Sequence, residues 1–192
     1  MKKALAGVLA VALAGVMTGS AMAQVPNVQV YFDPAFTQTQ TACGNPGTLQ
    51  DLYVVMNNWN FNITGEDFSI DYPPSMIWAY ETFPDPLTTV SIGTSPTSTG
   101  GIAIAYANCC AQDGFQAVHV LTPTIVWGPC DCGQGPIPLV VRGYTPLGKT
   151  GPSAIRKEDF TEFAGVGMTS LICPGIIATE QSTWGQVKAL YR

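Results

Sequence analysis

Hydrophobic and polar residues alternate along short stretches of the chain, a period of two that predicts half-buried β-strands. Leu52, Val54 and Met56, for example, share one face of a strand, with Tyr53 and Val55 on the other. Proline, glycine and serine separate these stretches, as expected of turns. The predicted strands are 27–33, 49–57, 61–72, 76–80, 87–92, 101–107, 115–127, 139–142, 154–157 and 160–173.

The stretch 115–127 is apolar on both faces, which predicts a strand in the middle of a sheet. His119 shares a face with Phe115 and Leu121, so we expect a hydrogen-bonded structural histidine that faces the core. Pro123 predicts a bulge or bend, because proline cannot donate to a strand ladder.

Together these strands predict an all-β fold, a two-sheet jelly-roll or Ig-like sandwich of about nine strands. Residues 24–173 would form this domain. A short C-terminal tail, 174–192, would follow, in which Ser182 caps a short helix that carries Trp184 and Tyr191. The tail either docks on the sandwich or serves as an interaction or sorting element.

Residues 1–23 have the features of a secretory signal peptide. Two lysines precede an uncharged apolar run, 4–17, and the sequence Ala-Met-Ala at 21–23 precedes Gln24. The run is too short to span a bilayer. We therefore expect a mature protein that begins at Gln24 and is secreted, either extracellular or periplasmic.

Composition excludes some classes of binding partner. Without the signal peptide the chain keeps 6 Lys and Arg against 13 Asp and Glu, a formal charge of −7. Binding to nucleic acid or to an anionic membrane surface requires clustered basic residues, so neither is expected. After the signal peptide no apolar run reaches membrane length, and no sequence pattern predicts a cofactor.

Six cysteines in an exported chain predict disulfides rather than a metal site. A strand over 115–127 is about 40 Å long at ~3.3 Å per residue, so cysteines before and after it lie at opposite ends. Cystine needs Cα atoms within about 7 Å, so neither end can easily bridge to the other. Our hypothesis is that Cys43 and Cys173 pair with Cys130 and Cys132, in either order. The remaining cysteines, Cys109 and Cys110, form a strained vicinal disulfide or stay as free thiols. No metal site is predicted, since Cys130 and Cys132 lack the usual two- to four-residue gap between zinc ligands.

The stretch Gly65-Glu66-Asp67-Phe68-Ser69-Ile70-Asp71-Tyr72-Pro73, followed by Met76-Ile77, resembles the early-strand signature of cohesin modules. The strands at 52–57, 101–107 and 118–127 are similar to cohesin strands in order and spacing, so the resemblance covers about residues 49–172. It implies a jelly-roll sandwich related to cohesins and to carbohydrate-binding modules. The chain departs from cohesins at Pro73, where they have Asp, and in its many cysteines; no segment resembles a dockerin.

The sequence motifs and spacings that would indicate a catalytic site are weak in this chain. His119 is the only histidine, and no G-x-S-x-G sequence places a serine nucleophile beside it. Carboxylate pairs for glycoside cleavage can be drawn from Asp67, Asp71, Glu81 and Asp85, but no spacing distinguishes any two of them. We interpret these acids, together with Glu66, as solvated surface residues.

The chain is therefore predicted to be a secreted, non-catalytic module that binds a carbohydrate or an extracellular protein. Candidate binding residues are the aromatics at strand ends or turns, where a flat ring can face a ligand: Trp59, Trp78, Tyr80 and Tyr144. Two alternatives remain, a secreted hydrolase with an unrecognised carboxylate site and a structural subunit that polymerises through its edges or tail. The sequence does not indicate the oligomeric state.

Overall fold

The computed structural model of the protein describes residues 25–84, 88–95, 100–110 and 117–174, the side chains of 88–90, 94–95 and 107–110 excepted. The predicted signal peptide and the part of the predicted tail beyond Pro174 lie outside these ranges. Among the described residues no helix is of a length and hydrophobicity that could cross a bilayer.

The described residues form an all-β sandwich of two sheets, as predicted. The strands are β1 (Asn27–Tyr31), β2 (Gln40–Thr41), β3 (Leu49–Asp51), β4 (Tyr53–Asn57), β5 (Ile63–Asp71), β6 (Met76–Thr82), β7 (Thr88–Ser95), β8 (Gly101–Cys110), β9 (Val118–Trp127), β10 (Ile137–Arg142), β11 (Ser153–Arg156), β12 (Glu162–Ala164), β13 (Val166–Gly167) and β14 (Thr169–Ile172). Two short 3₁₀ turns, Cys132–Gln134 and Thr145–Leu147, complete the regular structure of these residues.

Sheet I is built around β9, as its two apolar faces predicted. Strands β3 and β4 pair with successive parts of one edge of β9, and β6 pairs with the other edge. On the far side of β4 lie β1 and then β13. Strand β9 is therefore paired along nearly the whole of one edge and along residues 122–127 of the other.

Sheet II is built around β5. One edge of β5 pairs with β8, which in turn pairs with β7. The other edge pairs with β11 along its first half and with β10 along its second half. Strand β12 extends from β11, while β14 and then β2 extend from β10.

The core lies between the inner faces of the two sheets. Alternation places Leu52, Val54 and Met56 of sheet I in the core, opposite Phe68 and Ile70 of sheet II, and all five are fully buried. Burial of a large apolar side chain stabilises the fold by about 1.5–3 kcal/mol. The largest fully buried side chains are Trp59, Trp127, Phe68, Leu52, Met56, Ile63, Ile70, Ile102, Leu121, Ile125, Leu139 and Ile172.

The described residues contain four more strands than predicted: β2 was not predicted, and two predicted strands are interrupted. The first is broken at Leu52, whose backbone N–H donates to the carbonyl of Pro123 at 2.8 Å. The second, over 160–173, becomes β12, β13 and β14. Here the chain passes from sheet II to sheet I and back, since β13 pairs with β1 while its neighbours pair within sheet II.

His119 faces outward and not toward the core, which corrects the prediction. The register between β4 and β9 shifts at Val54/Val55, so Val120 and Leu121 are both buried and the side chain before them turns outward. The ring packs against Phe36 and Tyr53, with centroids 5.4 and 5.5 Å away. The bulge inserts one residue, which an alternating sequence pattern does not reveal.

Candidate functional site

The four predicted binding aromatics are not equally accessible. Trp59 is fully buried in the core, where its Nε1 donates to the carbonyl of Asn27 at 3.2 Å. Trp78 is half-buried, and Tyr80 exposes half of its surface. Tyr144 is half-buried with its ring over Gly101, where a Cβ atom would lie 2.7 Å from Tyr144 Cδ2. The four residues therefore do not form one exposed platform, and Trp59 belongs to the core.

A row of apolar side chains crosses the outer face of sheet I. Leu49 on β3 and Ile77 on β6 both pair with Val126 on β9, so the three side chains lie side by side on one face. Leu49 is 60% exposed and Ile77 is 56% exposed, while Val126 between them is half-buried. The face is the outer one because Ile125 and Trp127, on either side of Val126, point into the core.

Tyr80 extends this row by one position along the sheet. It pairs with Thr124, whose hydroxyl donates to Oδ1 of Asp51 at 2.7 Å. The register between β6 and β9 shifts between Trp78 and Tyr80, which brings Tyr80 to the outer face. We call the four apolar residues the β3–β9–β6 patch: Leu49, Val126, Ile77 and Tyr80.

Sequence reasoning selected only one member of this patch, Tyr80. Leu49 and Ile77 each lie in a predicted strand, but neither was identified as exposed. The signal was present in 76–80, where apolar residues occupy both faces of a short strand. Such a strand is either buried on both faces or carries an exposed apolar face, and the exposure of Ile77 and Tyr80 shows that β6 is of the second kind.

The carboxylates do not form a catalytic pair in the described residues. Glu66 and Asp67 are buried, not solvated as predicted, with exposures of 3% and 8%. They are neighbours on β5, so their side chains lie on opposite faces of the strand. Glu66 faces the core, as Phe68 does, and Asp67 faces outward. Asp71 is paired with Arg142 on the surface, and Asp85 lies outside the described residues.

Inside the sandwich the Glu66 carboxyl is mainly protonated, and so uncharged, at neutral pH. Burial raises the pKa of this carboxyl to about 8, and the nearby negative charge of Asp67 acts in the same direction. The Tyr106 hydroxyl donates to Glu66 Oε1 at 2.6 Å, which opposes the shift without cancelling it. Its hydrogen bond with Tyr106 joins β5 to β8 inside the sandwich.

Asp67 belongs to a polar network on the outer face of sheet II. It forms an ion pair with Lys149 and accepts a hydrogen bond at 3.0 Å from the Ser153 hydroxyl. Lys149 also pairs with Glu162 and donates to Ser153 at 3.0 Å. This network fixes the loop between β10 and β11 against the sheet, which is a structural function.

His119 also has structural partners. Its Nε2 lies 3.1 Å from the carbonyl oxygen of Leu121 and 2.9 Å from the Thr122 hydroxyl. Burial lowers the pKa of the imidazole, which favours the neutral ring. None of the described carboxylates forms a hydrogen bond to this ring.

Four cysteines converge at one end of the sandwich. Disulfides join Cys43 to Cys130 and Cys132 to Cys173, with Cα atoms 5.9 and 5.2 Å apart. This is one of the two pairings that the sequence left open. The two disulfides touch, since Cys43 Sγ lies 3.3 Å from Cys132 Sγ and 3.2 Å from Cys173 Sγ. We call these four residues the cysteine cluster.

Cys109 and Cys110 end β8, away from the cysteine cluster along the chain. The backbone of Cys110 pairs with Ile63 on β5. The side chains of both cysteines lie outside the described part of the structure, so a vicinal disulfide or two free thiols stays a prediction.

Comparisons with known proteins concern the fold. No protein-family model matches the chain, and no curated protein matches it. Among solved structures it is similar to the cohesin module of a family 33 glycoside hydrolase from Clostridium perfringens, with a TM-score of 0.51 and 12% identity over 77% of this chain and 95% of that one. It is equally similar to the sixth cohesin of scaffoldin B from Acetivibrio cellulolyticus, solved in complex with a mutant Cel5 dockerin, with a TM-score of 0.51 and 12% identity over 77% and 97% of the two chains. The resemblance seen in the sequence is thus confirmed at the level of fold: this chain has a cohesin-like β-sandwich.

Proposed function

We propose that the protein is an exported, non-catalytic module that binds another protein through the outer face of sheet I. The observation that carries this proposal is the β3–β9–β6 patch, in which Leu49 and Ile77 are more than half exposed. Exposed apolar side chains that adjoin one another are typical of interaction sites, whereas single ones are common on any surface.

The side-chain composition of the patch favours a protein ligand over a carbohydrate. Sugar platforms depend on exposed flat rings, but only Tyr80 among the four aromatic candidates is classed as exposed, at 50%, while Trp78 and Tyr144 are partly buried and Trp59 is fully buried. The other members of the patch are aliphatic and lie in register across three strands. Aliphatic and aromatic residues at the centre, with polar residues such as Asp51 at the margin, resemble the usual arrangement of protein–protein interfaces.

The fold supports the same class of function. The Acetivibrio cohesin of similar fold was solved in complex with a dockerin, which is a protein. We do not transfer that partner to this chain, because the identity is only 12%. The two disulfides of the cysteine cluster fit an exported protein, since such bonds persist in oxidising compartments.

The test is capture of partners by the mature chain, residues 24–192, from the extracytoplasmic fraction of the cells that produce it. An Ile77→Asp/Leu49→Asp double variant places two charges in the patch. We expect any protein retained by the unchanged chain to be lost with this variant, because a buried unpaired charge costs several kcal/mol. Capture is read by mass spectrometry and then by calorimetry with the purified partner.

Ile92→Asp is the matched control, because Ile92 is 63% exposed on β7 in the other sheet. We expect it to retain the partner. Loss of binding with Ile92→Asp but not with the double variant would move the interface to sheet II. A glycan array bound by the unchanged chain and abolished by Tyr80→Ala would contradict the protein-binding proposal.

A further inference from the structure

Three sulfurs of the cysteine cluster lie close enough together for a metal site, and the fourth, that of Cys130, is bonded to one of them. Cys43 Sγ is bonded to Cys130 and lies within 3.3 Å of the sulfurs of Cys132 and Cys173. The sulfurs of Cys43, Cys132 and Cys173 all lie within 4.8 Å of one another. In a tetrahedral four-sulfur zinc site, a Zn–S bond of about 2.3 Å places the sulfurs ~3.8 Å apart.

The backbone brings the four residues together independently of the disulfides. Strand β2 pairs in parallel with β14, and the Cys173 N–H donates to the carbonyl of Thr41 at 2.8 Å, which places Cys173 beside the segment that leads to Cys43. The following turn is fixed to the end of β9, because Gly47 N–H donates to the Trp127 carbonyl at 2.7 Å and Trp127 N–H donates to the Thr48 carbonyl at 2.9 Å. The sulfurs therefore have a common scaffold in the reduced chain as well.

The Cys130-Asp131-Cys132 segment has its own local support. Oδ1 of Asp131 accepts a hydrogen bond from the Gly133 N–H at 2.8 Å, which caps the short 3₁₀ turn that begins at Cys132. This turn directs Cys132 toward Cys173 while Cys130 contacts Cys43. The short gap between Cys130 and Cys132 argued against a metal site in the sequence, but the other two ligands come from distant segments that no local spacing reveals.

The cluster is also reachable from solvent. Cys132 is exposed, whereas Cys173 is only 4% exposed. An open cavity of about 710 Å³ lies beside them, lined by Gln40, Thr41, Ala42 and Pro174 as well as by the two cysteines. A small reductant and a metal ion can therefore reach the sulfurs from this side.

We propose that the cysteine cluster is a convertible site, which holds two disulfides when oxidised and binds one Zn²⁺ through four thiolates when reduced. Conversion takes four electrons and four protons, either from two dithiols that become disulfides or from two phosphines and two water molecules that become phosphine oxides; both S–S bonds break and four thiols form. Zinc then displaces the thiol protons and forms four Zn–S bonds. In either state the cluster ties the segment after β14 to the segments that contain Cys43 and Cys130.

The test uses the mature chain, residues 24–192, reduced with tris(2-carboxyethyl)phosphine under anaerobic conditions and titrated with Co²⁺ and then Zn²⁺. We expect one Co²⁺ per chain, with the sulfur-to-cobalt charge-transfer band and the visible bands of a tetrahedral thiolate site, and full displacement by Zn²⁺. Alkylation followed by mass spectrometry should show that zinc protects the four cysteines of the cluster but neither Cys109 nor Cys110.

Two variants and one control make the result specific. Cys43→Ser and Cys132→Ser each remove one ligand, and each should lower the affinity for Co²⁺ by at least about 100-fold, since loss of even an outer-sphere partner costs 10- to 100-fold. Cys109→Ser/Cys110→Ser should bind like the unchanged chain. The proposal is overturned if the reduced chain, folded or unfolded, gains no tetrahedral cobalt spectrum, if the spectrum survives both ligand variants unchanged, or if it is lost in the control.

Discussion

The hydroxyl of Tyr106 lies 2.6 Å from a carboxyl oxygen of Glu66 inside the sandwich, and both side chains are buried. The other carboxyl oxygen, Oε2, has no hydrogen-bond partner among the described residues. The uncharged form of Glu66 is therefore the stable one in this position, because an ionised carboxylate would be buried without a counter-ion. This hydrogen bond joins β5 and β8, and the proton on Glu66 keeps the buried carboxyl uncharged.

Stability should consequently fall as the pH rises from about 4.5 to 8. Below the ordinary pKa of 4.5 the carboxyl is protonated in both the folded and the unfolded chain, so its ionisation does not lower the free energy of unfolding. Between 4.5 and the folded pKa of about 8 only the unfolded chain releases the proton, which favours unfolding by up to about 1.4 kcal/mol per pH unit. Above 8 both states are ionised and the loss levels off.

Glu66→Gln should remove this dependence, because the amide is neutral at every pH and can still accept the hydrogen bond from Tyr106. The measurement is the free energy of unfolding in urea at pH 5, 6, 7 and 8. Glu158→Gln, the same change at an exposed position, should leave the slope in place. Parallel pH profiles for Glu66→Gln and the unchanged chain would show that Glu66 is already ionised in the folded state.

Lys149→Ala should destabilise the protein by about 1–3 kcal/mol. Lys149 is the cationic partner of the largely buried Asp67, which would be left with the Ser153 hydroxyl as its hydrogen-bond donor. Arg142→Ala removes a cation from a more exposed ion pair with Asp71, and its effect should stay within about 1 kcal/mol. Urea unfolding of both variants compares the two pairs directly, and equal losses would contradict the ranking by burial.

The alternating pattern predicted the fold well where strands are regular. Val54 and Phe68 face the core as their alternation requires, and the apolar stretch around β9 lies at the centre of sheet I. The cohesin resemblance reflects the same strand order. Predictions of this kind succeed because period two and burial are properties of the local sequence.

The predictions were wrong where a bulge, or a contact between segments distant in the chain, determines which side chains are buried. The bulge in β9 turned His119 outward, and a hydrogen bond from Tyr106 accompanies a buried Glu66 that was expected on the surface. The exposure of Ile77 depends on what packs over the outer face of β6, which the local sequence does not show. Each of these outcomes is set by residues far away in the chain, which a local pattern does not contain.

Gly167→Ala should destabilise the protein more than Gly128→Ala. A Cβ atom at Gly167 would lie 1.9 Å from the carbonyl oxygen of Val141, at the point where β13 passes between the two sheets. The same atom at Gly128 would be no closer than 3.4 Å to Pro74, an ordinary contact. Thermal unfolding checks this ranking; equal melting temperatures for the two variants would mean that the chain at β13 moves to make room.

The oxidised protein should contain the disulfides Cys43–Cys130 and Cys132–Cys173, and cleavage before aspartate can establish this. Such cleavage at Asp131 separates Cys130 from Cys132, and every cysteine of the cluster then lies in a different peptide.

Without reduction, peptide 33–50 should remain linked to 113–130, and 131–158 to 159–192. Linkage of 33–50 to 131–158 would instead show the other order, Cys43 with Cys132. A link from peptide 85–112, which carries Cys109 and Cys110, to either peptide that contains Cys130 or Cys132 would contradict the layout of β9 itself, since that strand of ten residues separates the two groups by about 33 Å. The disulfides thus test the strand order as well as the chemistry of the cluster.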